Sequence, residues 1–287
     1  MNVKLLSLQL LIVRLRIENR ALLKRSPSKK LSKQWYNLLS KMASVVFKTV
    51  TCLNYGYHDE KAPKVVLSPQ FEPERFPIQL YHYMVTAGLN AEISKLKILE
   101  VGCGRGGGCN YIAKQFHPKK MVGLDLSSEA INFCRRTHNT NDNLSFISGE
   151  ADNLPFQDAD FDVVINTESS HCYPDFDTFL NEVTCVLKPN GYFIFADFRF
   201  ASAMNKLTNS LNQSALTIIK KEDITSFVVT ALTKDSQRKE TLINQSPILW
   251  IFKKALKQLF AGCIGSQIYK DFCSRKRIYF FYVLQKN

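Results

Sequence analysis

Three things are scarce in this chain, and each scarcity excludes something. Apart from its amino end, no stretch approaches the roughly 18–20 consecutive apolar residues that a membrane-spanning helix needs. The eight cysteines (Cys52, Cys103, Cys109, Cys134, Cys172, Cys185, Cys263 and Cys273) form no C-x-x-C pair and have no histidines at zinc-ligand spacing. Neither a structural zinc site nor a disulfide framework is expected, and the thiols read as reduced and intracellular. Acidic residues are scarce in one place only: the first 58 residues hold eleven Lys or Arg against Glu18 alone, while the other 229 hold 27 against 24. The net charge of +13 therefore belongs to an N-terminal arm on a nearly neutral domain, and the neutral remainder argues against nucleic acid as a partner.

What is present is 287 residues, 45% hydrophobic and 22% charged, enough to bury a full core, so one large domain is expected. Residues 1–33 read as a basic, weakly structured arm closing on Ser26-Pro27-Ser28-Lys29-Lys30. Its short apolar start, broken by Ser7 and Gln9 and followed by Arg14 and Arg16, is a poor signal peptide; in a eukaryotic source an acid-poor, Arg-containing start is also compatible with organellar targeting. The expected location is cytoplasmic, with the arm as a peripheral attachment to an anionic membrane surface.

Residues 34–96 read as a lid and connector: helix-like from Gln34 to Val50, a turn at Asn54-Tyr55-Gly56-Tyr57, prolines at 63, 69, 73 and 77, then a helix from about Ile78 to Leu89. Over 97–200, short strands at Ile98–Val101, Met121–Leu124, Leu144–Ile147, Asp162–Asn166 and Tyr192–Ala196 alternate with helices. That is the pattern of an α/β fold, a parallel sheet with helices on both faces. Residues 201–287 read as substrate-side helices, around Thr225–Lys234 and Ile248–Phe260, with a candidate strand at Leu216–Ile219 and a last strand at Ile278–Leu284.

Glu100-Val101-Gly102-Cys103-Gly104-Arg105-Gly106 follows a strand and opens a helix, and its glycines let the backbone turn tightly and approach a ligand. A dinucleotide could use such a turn. Two acids point elsewhere: Glu100, just before the glycines, would repel a pyrophosphate but hold an amino group, and Asp125, ending the second strand, suits a pair of ribose hydroxyls.

Five segments in order, Ile98 to Gly108, Gly123-Leu124-Asp125-Leu126, Gly149 to Phe156, Phe161-Asp162-Val163-Val164 and Val186 to Tyr192, resemble the successive motifs of class I S-adenosylmethionine-dependent methyltransferases. The resemblance implies S-adenosylmethionine as cofactor and a Rossmann-like, seven-stranded, mostly parallel sheet whose last strand runs antiparallel at the edge. It also implies a helical N-terminal lid and a helical C-terminal insertion. By it, Gly102, Gly104 and Gly106 line the cofactor, Asp125 binds its ribose, and Glu150 with Ala151 meets the adenine, Glu150 standing where the family commonly has Asp. A narrower likeness spans 34–287, carried by Gln34-Trp35-Tyr36, Leu53 to Tyr57, Ile78 to His82, Gly106-Gly107-Gly108, Glu168 to Pro174 and Asp235-Ser236-Gln237-Arg238-Lys239. These segments resemble the phthiotriolone and phenolphthiotriolone dimycocerosate methyltransferases and related fatty-acid O-methyltransferases, which implies a lipid or polyketide-like acceptor methylated at a hydroxyl or a carboxyl.

An alcohol acceptor must lose a proton. His171, just beyond the fourth strand, is the candidate base, its alternative being a packed loop histidine. Glu168 is a second base, the group that orients His171, or a solvated rim carboxylate. Tyr55 and Tyr57 stand where the resembled family has a lid over the methionyl end, or they fill core. His82 either reaches the acceptor or is a buried helix residue, and Tyr173 is assigned to the acceptor by the likeness. Phe193, Phe195, Phe198 and Phe200 read as strand core, with only the last pair able to border an acyl pocket. The Pro-Pro-Tyr motif of amine-directed relatives is missing at Asn166-Thr167-Glu168-Ser169, which argues against nucleobase or amide acceptors, and no acid set resembles a catechol-type magnesium site. Three functions remain open: O-methylation of a hydroxyl, methylation of a fatty-acid carboxyl, and a non-catalytic cofactor-binding module recruited by its basic arm.

The arm makes a direct prediction. The full chain should bind vesicles containing anionic lipid, each arm cation adding on the order of 1 kcal/mol, and binding should weaken as salt rises. Sedimentation that is absent or indifferent to salt contradicts it.

Overall fold

Consecutive apolar positions such as Val163-Val164-Ile165 are tolerated only in strands covered on both faces. The chain obeys this at β1 (Lys97–Val101), where Ile98 enters one core while Leu99 and Val101 enter the other. The computed structural model describes residues 29–139, 142–246, 253–254, 256–257 and 262–287. Six further strands follow: β2 (Lys120–Asp125), β3 (Leu144–Ser148), β4 (Phe161–Thr167), β5 (Leu187–Phe200), β6 (Leu216–Asp223) and β7 (Arg277–Lys286). They form one sheet in the order β3-β2-β1-β4-β5-β7-β6. The first five are mutually parallel, and β7 runs antiparallel to both β5 and β6.

The seven strands and the antiparallel last one are as expected; its place at the edge is not. β7 lies between β5 and β6, with all of Tyr279–Leu284 buried. Its Phe-Phe-Tyr-Val run is too apolar for an open edge, whereas β6, alternating half-buried and exposed residues around Lys220 and Lys221, suits one.

The helices are α1 (Lys29–Val46), α2 (Arg75–Gly88), α3 (Gly107–Phe116), α4 (Ser128–Thr137), α5 (Phe176–Val186), α6 (Met204–Gln213), α7 (Thr225–Gln245) and α8 (Gln267–Cys273). Side-chain caps start three of them, from Ser127, Asp175 and Ser266. The helix expected at Thr225–Lys234 continues to Gln245, and Lys29–Lys33 of the arm form the first turn of α1. Most of the arm, residues 1–28, and most of the helix expected at Ile248–Phe260 lie outside the described residues. Among the described residues no helix is long and apolar enough to cross a membrane.

Strand order reverses between β1 and β4, so the loops leaving them diverge to opposite faces and leave a crevice at the carboxyl end of the sheet, where open α/β sheets bind ligands. Over this crevice α1 packs on α4, and Arg105 pins it. The guanidinium, 2% exposed, donates to Ser44 Oγ (3.2 Å), the Phe47 carbonyl (3.1 Å) and the Val50 carbonyl (2.6 Å), and stacks on Phe133 at 3.6 Å. A cation at the carbonyl end of α1 also opposes the helix dipole.

Replacing Arg105 by Met keeps bulk but strands these acceptors, and should cost about 2–4 kcal/mol. Urea denaturation should register the loss, and limited proteolysis should cut first between α1 and Thr51. An unchanged midpoint with α1 still protected would contradict this account.

Candidate active site

After β1 the chain turns through three glycines with positive φ, 80° at Gly102, 56° at Gly104 and 73° at Gly106, and they are not equivalent. A Cβ on Gly102 would meet Ser169 Oγ at 2.3 Å, and one on Gly106 would meet Phe146 at 2.8 Å and Cys134 at 2.9 Å. On Gly104 it would meet only Leu53 Cδ1, at 3.7 Å. Gly102 and Gly106 serve the turn and its packing; Gly104 leaves space above the loop.

The N–H of Gly104 donates to Asp125 Oδ2 and that of Ser127 to Oδ1, both at 2.8 Å, so each oxygen keeps a lone pair for another donor. Burial pushes this carboxyl up to about 6. Glu150 and Ala151 follow β3 next to it: Gly149 N–H donates to the Asp125 carbonyl at 3.0 Å, Asn153 N–H to the Glu150 carbonyl at 3.3 Å, and Ala151 is partly buried against the core. Glu100 lies deeper, fully buried, and takes hydrogen bonds from Tyr81 Oη (2.7 Å) on α2 and Cys109 Sγ (2.8 Å) on α3. Burial pushes it up to about 7.

Beyond β4, Asn166 donates through Nδ2 to the Val101 carbonyl (2.9 Å) and Ser169 Oγ (2.8 Å), with Tyr173 Oη at 3.0 Å, while its buried Oδ1 has no partner. Tyr173 Oη also lies where a Gly102 Cβ would come within 2.9 Å, on the glycine-loop side of the crevice.

His171 is bonded to a residue that the strand pattern did not single out. Its Nδ1 lies 2.8 Å from Asp197 Oδ1, and its N–H donates to Oδ2 at 3.0 Å. Asp197, at 0% exposure, also accepts from Ser170 Oγ at 2.7 Å and pairs with Arg199 at 3.1 Å. Burial alone would depress the imidazole and raise the carboxyl. The pair reverses both: Asp197 holds His171 well above the ordinary imidazole range, and His171, with Arg199, holds Asp197 well below the ordinary carboxylate range. The histidine keeps 28% of its side chain accessible, with the Phe198 ring tilted against it, centroids 4.4 Å apart.

Glu168, at φ 46°, is therefore not the orienting group. Its Oε1 accepts from Tyr55 N–H (2.6 Å) and Tyr279 Oη (2.8 Å), and burial pushes it up to about 7. Tyr55, Phe198, Phe272 and Tyr279 form an aromatic wall beside it, with ring centroids 5.6–6.2 Å apart.

Two expected site residues point elsewhere. Tyr57 stacks on Tyr83 at 4.2 Å and meets Phe227, away from the glycine loop. His82 bonds Tyr111 Oη at 2.8 Å and burial lowers it; with Tyr81 aimed at Glu100, the next helical residue is turned about 100° away. In their stead stands Tyr36 on α1, within electrostatic reach of Asp125, Cys172 and Tyr173, where burial raises its hydroxyl. Asp197 could have been found from sequence by the rule that singled out Asp125, an acid at the carboxyl end of a strand. Tyr36 carried no signal beyond its place in the Gln34-Trp35-Tyr36 segment of the likeness.

A methyltransferase-domain family model matches residues 93–255. The chain is 41% identical over 208 residues to a fatty-acid O-methyltransferase of Mycolicibacterium smegmatis, covering 71% of this chain and 74% of that protein. It is 33% identical to a phthiotriol/phenolphthiotriol dimycocerosates methyltransferase of Mycobacterium tuberculosis, covering 85% and 87%. This chain belongs to the methyltransferase family. It is an enzyme rather than a bare binding module, and S-adenosylmethionine is its cofactor. Solved structures share the fold: the cyclase SpnF with TM-score 0.67 and 18% identity, covering 91% of this chain and 97% of that one, and geranyl diphosphate C-methyltransferase of Streptomyces coelicolor with TM-score 0.63 and 14% identity, covering 91% and 99%. One of these methyltransferase-like folds is named a cyclase, so the fold alone carries no activity.

The residues present fit that cofactor. The space above Gly104, the spare lone pairs of Asp125 and the unpartnered Asn166 Oδ1 are what a ribose diol and an ammonium group require. Because Asp125 and Glu100 are pushed up to about 6 and about 7, they lose charge as pH falls through that range. Calorimetric affinity for S-adenosylhomocysteine should therefore drop between pH 8 and 5.5. Asp125→Asn should weaken binding roughly ten- to a hundredfold and flatten the pH dependence. Affinity that is level across this range in the unaltered enzyme would refute the assignment.

Proposed function

We propose that the enzyme O-methylates a hydroxyl on a lipid-type acceptor, with His171 as general base and Asp197 as the residue that positions it. The observation that carries this is the Asp197–His171 pair at the rim, 2.8 Å between Oδ1 and Nδ1. Lipid-type acceptors are supported by the names of the relatives, one acting on fatty acids and one on phthiotriols.

In this reading residues 97–200 bind the cofactor, 34–96 cover it, 201–287 shape the acceptor side, and the arm 1–33 meets an anionic membrane surface. Gly102, Gly104 and Gly106 shape the cofactor loop, Asp125 takes the ribose hydroxyls, and Glu150 with Ala151 borders the base. Glu100 acts from beneath the loop, while Tyr36 and Tyr55 exclude water. Bound there, S-adenosylmethionine supplies an electrophilic sulfonium methyl. With Nδ1 tied to Asp197, the Nε2 of neutral His171 is the nitrogen left to accept the hydroxyl proton, and buried Asp197 stabilises the imidazolium that results. Tyr173 holds the loop side of the crevice, and Glu168 latches Tyr55 over it.

A second reading, methylation of a fatty-acid carboxyl, is favoured by one observation: Asp197 keeps His171 protonated beyond the usual range, which suits an anion that needs no base. The two readings have opposite signs. A base must be neutral, so hydroxyl methylation should rise with pH through the raised His171 pKa, and Asp197→Asn should move that rise to lower pH and cut the plateau roughly a hundredfold. Carboxyl methylation should instead stay level or fall as the cation is lost. Single-turnover rates between pH 6 and 9.5 decide, and His171→Ala proceeding at full rate would remove the base.

A further inference from the structure

The buried face of α7 changes character along its length. Val228, Ala231 and Leu232 are fully buried and apolar; one turn further the same face carries Asp235 and Ser236, at 3% and 4% exposure, and Lys239, whose side chain keeps only 13% of its surface accessible. This is the Asp235-Ser236-Gln237-Arg238-Lys239 segment, which the catalytic assignment leaves without a task. Asp235 is already spoken for: Arg238 donates Nε to Oδ1 and Nη2 to Oδ2, both at 2.6 Å. Lys239 Nζ stands 3.6 Å from that same Oδ2, too far for a good hydrogen bond, and it makes none among the described residues. Arg238 thus takes both Asp235 oxygens, and the ammonium of half-buried Lys239 keeps donors for a further acceptor.

The polar half of α7 faces the acceptor side. Glu168 lies within electrostatic reach of Lys239, and Glu74 within reach of Arg238; the Glu74 carboxylate clamps the Thr51 and Cys52 N–H groups at 2.9–3.0 Å. Burial, with Arg238 beside it, lowers the Lys239 ammonium below its ordinary value, while Asp235 and Glu168 oppose this. Upstream on the same face, Val228 and Leu232 belong to the apolar core that holds Tyr55, Phe198 and Phe272.

We propose that Lys239 anchors a carboxylate carried by the acyl acceptor, whose chain lies along the Tyr55–Phe198–Phe272 wall. The inference rests on the reading of the enzyme as acting on lipid-type acceptors and adds the acidic group that they bear. That carboxylate has two possible origins: a simple fatty acid, in which it is itself methylated, or a hydroxylated acyl chain, in which it holds the molecule while the hydroxyl reacts.

The test titrates the full chain, saturated with S-adenosylhomocysteine, with dodecanoate, a hydroxydodecanoate and dodecanol. Lys239→Met keeps the packing and removes the charge. It should weaken both acids roughly tenfold or more, leave dodecanol and S-adenosylhomocysteine unchanged, and be largely rescued by Lys239→Arg. Equal loss for acids and alcohol, no loss, or concurrent loss of S-adenosylhomocysteine binding would overturn the assignment. Wild-type enzyme that binds the acids no better than dodecanol overturns it too, while leaving the lipid-type reading intact; wild-type enzyme that binds none of the three overturns both. With S-adenosylmethionine instead, an ester or an ether product identifies the origin of the carboxylate.

Discussion

Four carboxylates stand in or just beyond four strands of one sheet, and holding them in a low-dielectric rim is the constraint under which everything around the crevice is arranged. Glu100 is in β1, Asp125 ends β2, Glu168 follows β4 and Asp197 is in β5. Each is surrounded by donors from another part of the chain: α2 and α3 for Glu100, the glycine loop for Asp125, the segment at Tyr55 and strand β7 for Glu168, and the Ser170–His171 loop for Asp197, which Arg199 of its own strand also pairs. A buried acid without such partners would be neutral or would destabilise the fold. The acids are thus also the tethers that draw N-terminal and C-terminal segments onto the rim.

The four do not end in the same state. Three are pushed up toward neutrality by burial; Asp197 alone is held down, because it alone faces two cations. Asp197, held down beside an accessible imidazole, thus differs electrostatically from the three acids that burial pushes up. The segment from α1 to Cys52 is held separately, by Arg105 at the end of α1 and by Glu74 at Thr51 and Cys52. Solvated pairs such as Lys95–Glu92 add little to it.

The legible part of this protein was the repeated part. Strand-turn-helix periodicity set out β1 to β5, and the turn chemistry of Gly102–Gly106 with a strand-end acid at Asp125 singled out the glycine-loop end of the crevice. The illegible part lay wherever distant segments meet. Whether β7 or β6 closes the sheet depends on which strand the core can cover on both faces, and no local pattern states that. Tyr57 and Tyr55 sit two residues apart in one turn, yet Tyr55 gives its N–H to Glu168 while Tyr57 stacks on Tyr83. Adjacent helical residues part in the same way: Tyr81 reaches Glu100 and His82 turns to Tyr111.

The sequence by itself determined the family, the alternation of the core and the acids at the strand ends, since these depend on residue order and spacing along a few turns of chain. Only the tertiary structure decided that Asp197, not Glu168, holds His171, that Tyr36 comes within electrostatic reach of Asp125 and Tyr173, and that Lys239 stands beside a carboxylate whose two oxygens Arg238 already takes. Those facts are sums over neighbours up to about a hundred residues apart or more, brought together by a crossover at β1 and β4 and by packing whose hydrogen-bond distances sequence spacing does not encode.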